Sequence, residues 1–226
     1  MSDYTAAKNV VPDNAKTVQA QVWAGEFGRA YTDRNRLDVE DLNALWSANY
    51  GITRREINQV FLQDIPKNAS FLEVGCNVGN QLLQLQELGY GNLSAVEIQS
   101  YAVEIAKSRV SKVAIRQGSA LALPYGNDSF DVVFTSGVLI HVAPEDLPRA
   151  MEEIHRCAKT YIWGAEYYAP DVTQVNYRGH EKLLWKMDYA RRYLEGFKDL
   201  ELVRERHLTY LENPNIDSVF LLRKGH

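Results

Sequence analysis

The sequence predicts an α/β fold, a doubly wound, mostly parallel seven-stranded sheet with helices on both faces. Three observations carry that expectation. Phe71-Leu72-Glu73-Val74 is a short apolar run that ends in the turn Gly75-Cys76-Asn77-Val78-Gly79 and continues into a helical stretch over residues 81–88, the order strand, glycine turn, helix. Short apolar runs then alternate with helix-periodic stretches as far as Ala165, the pattern of parallel strands joined by crossover helices. The 226 residues, 46% hydrophobic and 24% charged, suit one globular domain that buries a full core.

Residues 1–20 mix small and polar types around Pro12-Asp13-Asn14 without a sustained period, which predicts a mobile N-terminal arm of the kind that can close over a site. The remainder, 21–226, reads as a single domain. Its first part, 21–66, is expected to be a helical cap, with Trp23, Phe27, Tyr31, Leu37, Leu42, Leu45 and Trp46 on its apolar side. Ile57, Val60, Phe61 and Ile65 then recur at helical spacing before Pro66, so a helix over 54–65 should pack on the sheet. The core strands are predicted at 70–74, 93–97, 113–117, 132–135 and 161–165, with helices at 80–88, 100–108 and 144–158. Leu147, Ala150, Ile154 and Cys157 should face inwards on the last of these. Residues 166–195 carry many polar aromatics and read as a substrate-side insertion after strand 5, and 200–207 with 219–223 form the closing strand pair.

A formal net charge of −4 argues against a non-specific nucleic-acid or membrane-surface binder, which needs a basic face. Cys76 and Cys157 sit in no Cys-x-x-Cys or zinc spacing, so free thiols and a cytoplasmic protein are expected. No His, Asp and Glu set has metal spacing, and no metal is expected. The start of the chain lacks the basic and apolar segments of a secretory leader, and its longest apolar stretch, 130–143, is too short and too polar to span a bilayer.

The glycine turn departs from the Gly-x-Gly-x-x-Gly dinucleotide fingerprint, because Asn77 stands at the second glycine and Gly79 comes one position early. Asn is the best substitute where φ must be positive. About 20 residues beyond the turn, Asn92-Leu-Ser-Ala-Val-Glu97 ends in a carboxylate that can accept both hydroxyls of a ribose. That points to an adenosine-containing cofactor. Glu73, two positions before the turn, would face a pyrophosphate unfavourably and suits a cationic centre. S-adenosylmethionine has a sulfonium, an ammonium and no phosphate. Arg34, in Asp33-Arg34-Asn35, offers a guanidinium fork that matches the carboxylate of its methionine part.

These residues resemble the class I S-adenosylmethionine-dependent methyltransferases over roughly residues 70–163. A narrower likeness rests on Glu26-Phe27-Gly28-Arg29-Ala30-Tyr31-Thr32-Asp33-Arg34-Asn35, Val74-Gly75-Cys76-Asn77-Val78-Gly79, Gly137-Val138-Leu139-Ile140-His141, Ala165-Glu166-Tyr167-Tyr168 and Tyr177-Arg178-Gly179-His180-Glu181 with Leu184-Trp185-Lys186 after it. Together they look like the methylases associated with pseudaminic acid biosynthesis. The resemblance implies a Rossmann-like sheet whose last two strands add an antiparallel edge. It implies a cofactor set of Tyr31, Arg34, Glu73, Gly75, Cys76, Asn77, Gly79, Asn80, Glu97, Ile98, Gly118, Ser119, Ala120, Ser136 and Gly137. Ser119 stands where the superfamily usually carries an acid for the adenine amino group.

Methyl transfer from a sulfonium is an in-line displacement, so the protein mainly holds a nucleophile on the methyl–sulfur axis and excludes water. His141, Glu166, Tyr167, Tyr168 and His180 are the expected catalytic residues, and Trp23, Tyr177, Arg178 and Trp185 the expected substrate contacts. Glu166 with its neighbouring tyrosines would pair with a cationic acceptor, with ring attraction of roughly 0.5–2 kcal/mol. The expected reaction is N-methylation of an amine, guanidine or amino sugar, giving S-adenosylhomocysteine. O-methylation of a sugar or carboxylate of nonulosonic type, a non-catalytic S-adenosylmethionine-binding domain and a nicotinamide-dependent oxidoreductase are the alternatives. The partner is a small molecule, and the protein a monomer or homodimer.

Overall fold

The computed structural model of the protein describes residues 17–225. Most of the arm expected over 1–20 lies outside those residues. Its last positions do not belong to an arm: Thr17 caps a helix, its side chain accepting from the Ala20 amide, and α1 (Val18–Ala24) begins at once. Gly25 alone separates it from α2 (Glu26–Arg34). Two capping boxes, Asp38 with Asp41 and Thr53 with Glu56, start α3 (Val39–Tyr50) and α4 (Arg54–Leu62). In this motif each side chain satisfies an amide the helix leaves unpaired. The helix expected to reach Ile65 stops at Leu62, and Val60 is 41% exposed rather than turned to the sheet.

The core alternates as expected. β1 (Phe71–Val74), α5 (Asn80–Glu87), β2 (Leu93–Glu97), α6 (Ser100–Arg109), β3 (Ala114–Gln117), β4 (Phe130–Ser136), α7 (Leu147–Cys157) and β5 (Ala158–Tyr167) follow in order. A separate hairpin, β6 (Thr173–Tyr177) and β7 (His180–Lys186), precedes α8 (Tyr189–Gly196), β8 (Leu200–Thr209) and β9 (Ile216–Lys224). The seven-stranded sheet has the order β3-β2-β1-β4-β5-β9-β8. Its first five strands are parallel, and β9 and β8 make the antiparallel edge.

Alternation along the strands divides the core in two. Leu72, Val74, Val133 and Ile162 pack with Ala150, Met151 and Ile154 of α7 and Tyr193 of α8, whereas Phe71, Val132, Phe134 and Trp163 pack with Ile57 and Phe61 of α4, Leu82 of α5 and Val103 of α6. α8 is therefore core, although it fell within the segment read as an insertion. The order of strands reverses between β1 and β4, which opens a crevice at their carboxyl ends where sheets of this kind bind ligands. The α1–α2 cap lies beside it. Gln99 Nε2 donates to the carbonyls of Ala24 and Gly25, both at 2.8 Å, and Tyr101 donates to Asp33 Oδ1 at 2.8 Å while the Arg29 guanidinium stands 4.1 Å from its ring.

Gly164 in β5 lies opposite Phe220 of β9, and a Cβ there would come within 2.1 Å of the Phe220 ring. Replacing a strand glycine by alanine ordinarily stabilises by about 0.5–1 kcal/mol. Here Gly164→Ala should destabilise by about 1–3 kcal/mol in urea unfolding, because the ring has to move. An unchanged or raised midpoint would contradict the packing.

Candidate active site

At the carboxyl ends of β1 to β4 lies a cavity of ≈ 160 Å³. Its floor is the glycine turn. Gly75 adopts φ +77° and Asn77 φ +45°, so Asn77 takes the left-handed conformation that its short side chain tolerates. A Cβ on Gly75 would come within 2.5 Å of Val138 Cγ2, which means the turn needs glycine for space as well as for dihedral freedom. Glu97 closes the neighbouring wall. Its Oε2 accepts from the Asn77 amide and its Oε1 from the Gln99 amide, both at 2.8 Å. Burial raises its pKa, and the backbone donors oppose that shift.

Of the expected cofactor residues, Tyr31, Gly75, Asn77, Glu97, Ile98, Gly118, Ser119, Ala120, Ser136 and Gly137 border this cavity. Ser119 Oγ accepts from the Leu121 amide at 3.2 Å. Burial pushes the Tyr31 phenol up to about 12, so it stays protonated. Five others do not border it. Arg34 sits exposed at the end of α2, and Cys76 is buried beneath the turn. Gly79 caps α5 without facing the cavity, and Asn80 donates to the Asn35 carbonyl and accepts from Arg109. Glu73 lies on the strand face that carries Phe71, where burial lifts its pKa to about 8 and the buried Arg54 pulls the other way.

The acceptor-side residues separate more sharply. His141 borders the cavity, and its ring stands 4.3 Å from Trp23 and 5.3 Å from Tyr177. Trp23 borders it too. Phe27, which the sequence had given only an apolar role in the cap, meets the rings of Tyr177 and His180 on the hairpin. Arg178 is exposed beyond Tyr177, its guanidinium 5.9 Å from that ring. Glu166 does not border the cavity. It is 1% exposed, and its carboxylate accepts from the Val138 amide at 3.0 Å and the Ile140 amide at 3.3 Å. It therefore holds the short 3-10 turn Leu139–His141. Tyr167 lies under Lys186 and Tyr168 against His207, both away from the cavity. Trp185 is 5% exposed and belongs to the core.

Thr17, Gln19, Ala20 and Gln99 on the wall were given no role from the sequence, and Gly28 and Thr32 entered only within the stretch 26–35 that carries the narrower likeness. Gly28 is needed for space, since a Cβ there would come within 1.8 Å of the Trp23 carbonyl oxygen. Among the described residues no group of three His, Cys, Asp or Glu gathers to hold a metal, and no helix is long and apolar enough to cross a membrane.

Residues 72–161 match the family model described as a methyltransferase domain. A methyltransferase of Streptomyces halstedii, GfsG, is 23% identical over 64% of this chain and 58% of its own length. The EEF1A lysine methyltransferase 2 of Danio rerio is 24% identical over 65% of the chain and 64% of its own. The chain thus spans less than two thirds of either relative. Among solved structures, the Burkholderia thailandensis 1,6-didemethyltoxoflavin-N1-methyltransferase, with that compound and S-adenosylhomocysteine bound, superposes with TM-score 0.65 at 14% identity, over 89% of this chain and 90% of its own. The sheet order and flanking helices are the Rossmann-like arrangement that this solved methyltransferase also has.

Burial pushes Glu166 up to about 7, above an unfolded carboxyl near ~4.3. A raised acid adds stability that is complete below the unfolded pKa and is lost as pH rises through the folded one. Glu166→Gln keeps an acceptor oxygen for the two amides without that ionisation. Its stability relative to wild type should therefore rise by about 1–3 kcal/mol from about pH 5 to about pH 8. A difference that stays flat in paired urea titrations would reject the assignment.

Proposed function

We propose that this protein is an S-adenosylmethionine-dependent methyltransferase that acts on a small polar metabolite bearing an N–H or O–H group. The observation that carries the reading is the join of the left-handed glycine turn to Glu97 at the edge of a single cavity at the crevice between β1 and β4. Glu97 takes the ribose hydroxyls with its remaining lone pairs, and Gly118, Ser119 and Ala120 flank the adenine. Gly75, Ser136 and Gly137 leave room for the methionine part, and Tyr31 covers it from the cap.

Glu73 no longer separates this cofactor from a dinucleotide, since it does not border the cavity. A different feature does. A pyrophosphate binds at the N-terminus of the first helix, but Val78, Gly79 and Asn80 lie outside the cavity wall. Asn80 bonds the Asn35 carbonyl, and Arg109 Nη1 donates to Val78 O at 2.9 Å and Asn80 Oδ1 at 2.7 Å. The helix end is covered, which favours a cofactor without phosphates.

The domain match and the methyltransferases among the relatives support the reaction class. Their printed names point to different acceptors, a heteroaromatic compound in one and a protein lysine in another, so the acceptor is argued from this cavity. Resemblance to the pseudaminic acid methylases adds an amino or nonulosonic sugar as a candidate. The cationic-acceptor expectation depended on Glu166, whose oxygens serve the backbone. The cavity wall supplied by α1 and α2 favours a small acceptor over a macromolecule or nucleic acid.

Calorimetric titration with S-adenosylmethionine, S-adenosylhomocysteine and NAD in parallel tests the reading. The first two should bind and NAD should not; NAD alone binding would overturn it. Glu97→Ala should weaken S-adenosylhomocysteine about 10- to 150-fold, the worth of hydrogen bonds to a charged group at about 1.5–3 kcal/mol. Gly75→Val should weaken it at least as much. Wild-type affinity in Glu97→Ala would contradict the ribose assignment.

A further inference from the structure

Beyond the glycine turn and the ribose carboxylate, the cavity ends among rings with two unusual polar atoms. His141 Nδ1 lies 2.7 Å from the Leu183 carbonyl oxygen. A carbonyl only accepts, so Nδ1 carries the proton and Nε2 is left as the acceptor atom. Burial pushes the imidazole down to about 4, with the Leu183 bond opposing, and the ring is neutral at neutral pH. The second atom is Trp23 Nε1, a buried N–H that finds no hydrogen-bond partner among the described residues. Unpaired buried donors are rare and costly, typically about 1–3 kcal/mol. Trp23 and His141 both border the cavity with their rings 4.3 Å apart.

Among the described residues no carboxylate lines this end of the cavity. Glu97 lies at the ribose end, and Glu166 lies behind the turn with its oxygens on the Val138 and Ile140 amides. An ammonium or guanidinium acceptor would find no carboxylate partner among the cavity-lining residues at this end, and His141 Nε2 would have to meet a cation that has no lone pair to offer the methyl group. An uncharged group suits both atoms: its O–H or N–H donates to Nε2, and an oxygen beside it accepts from Trp23.

We infer that the acceptor is an uncharged ring compound carrying an O–H or amide-type N–H beside an oxygen, and that His141 Nε2 removes its proton while Trp23 Nε1 holds the neighbouring oxygen. This rests on the methyltransferase reading above. In the transfer, the acceptor's O–H or N–H bond breaks and its electron pair forms the new bond to the methyl carbon. The methyl–sulfur pair returns to sulfur, and the proton passes to Nε2. The sulfonium charge is thus replaced by an imidazolium charge within the same cavity. The Leu183 carbonyl and the Tyr177 ring, 5.3 Å from the imidazole, stabilise it. Phe27 and Tyr177, in edge contact at 6.1 Å, link the cap and the hairpin near this end and suit a ring-shaped ligand.

The test starts from protein saturated with S-adenosylhomocysteine. Failure of that first binding step would sink the methyltransferase reading itself and not this subsite alone. The loaded protein is then titrated with two matched contrasts, N-acetylglucosamine against glucosamine and lumazine against agmatine. At least one uncharged probe should bind ten times more tightly than its cationic counterpart, and Trp23→Phe and His141→Phe should each abolish that preference. His141→Phe should keep S-adenosylhomocysteine affinity within about threefold. With S-adenosylmethionine present, methylation of the preferred probe should fall by about 10²-fold or more in that variant, the usual worth of general-base assistance. Tighter binding of the cations, binding of neither class, or a His141→Phe rate within threefold of wild type would each overturn the assignment.

Discussion

The buried carboxylate of Glu97 is the constraint on which the site depends. It stands at the end of β2 with two acceptor oxygens and little water, and it solves that problem by taking the amides of Asn77 and Gln99. One bond fixes the glycine turn where Asn77 is already left-handed, and the other fixes the start of α6, whose cap residue is Gln99. Gln99 in turn spends its side-chain amide on the carbonyls at the α1–α2 junction. The Glu97 side chain therefore organises the floor, a wall and the roof of the cavity. Buried carboxylates are expensive unless hydrogen-bonded, and here the groups that offset the cost are those that shape the site.

The sheet was legible in the sequence because period and punctuation are local properties. Short apolar runs, the glycine turn and the acid that follows it about 20 residues on follow from residue type and spacing. The closing pair at β8 and β9 read correctly for the same reason. What failed was direction. Glu73 and Glu166 both lie near strand ends close to the cavity, and each was expected to face a ligand. In β1 the side chains alternate, so Glu73 shares the face of Phe71 while Val74 and the turn that follows border the cavity. Its neighbour Arg54 comes from α4, too far along the chain for spacing to announce. Glu166 met an equivalent fate through the Val138 and Ile140 amides, partners that carry no side-chain signal at all.

The cap was misjudged for a complementary reason. α1 has no buried residue, so it shows no apolar stripe for a periodicity argument to find, and its first residues looked like an arm. With its N-cap Thr17 it nevertheless supplies Gln19, Ala20 and Trp23 to the cavity wall. What fastens it is a few polar bonds to Gln99, one from Gln19 to the Lys182 carbonyl, and ring contacts made by Trp23. Interactions of that kind are made between distant segments and leave little trace in either one's composition.

The two ends of the cavity differ in charge in a way that fits a cationic donor. Glu97 is a carboxylate at the ribose end, and His141 is a neutral acceptor at the other. A sulfonium between them is drawn toward the carboxylate in the resting complex, and once the methyl group leaves, that attraction disappears with the charge. Carrying the released proton to His141 moves the positive charge toward the Leu183 carbonyl instead. One cation replaces another, so the number of charges in the cavity stays the same through the transfer in a low-dielectric setting, where isolated charge is most costly. Glu166 contributes without touching ligand, because the turn it pins to β5 is the one that carries His141. A strand-end carboxylate that the sequence assigned to the acceptor thus acts one layer back, on the geometry of the residue that meets it.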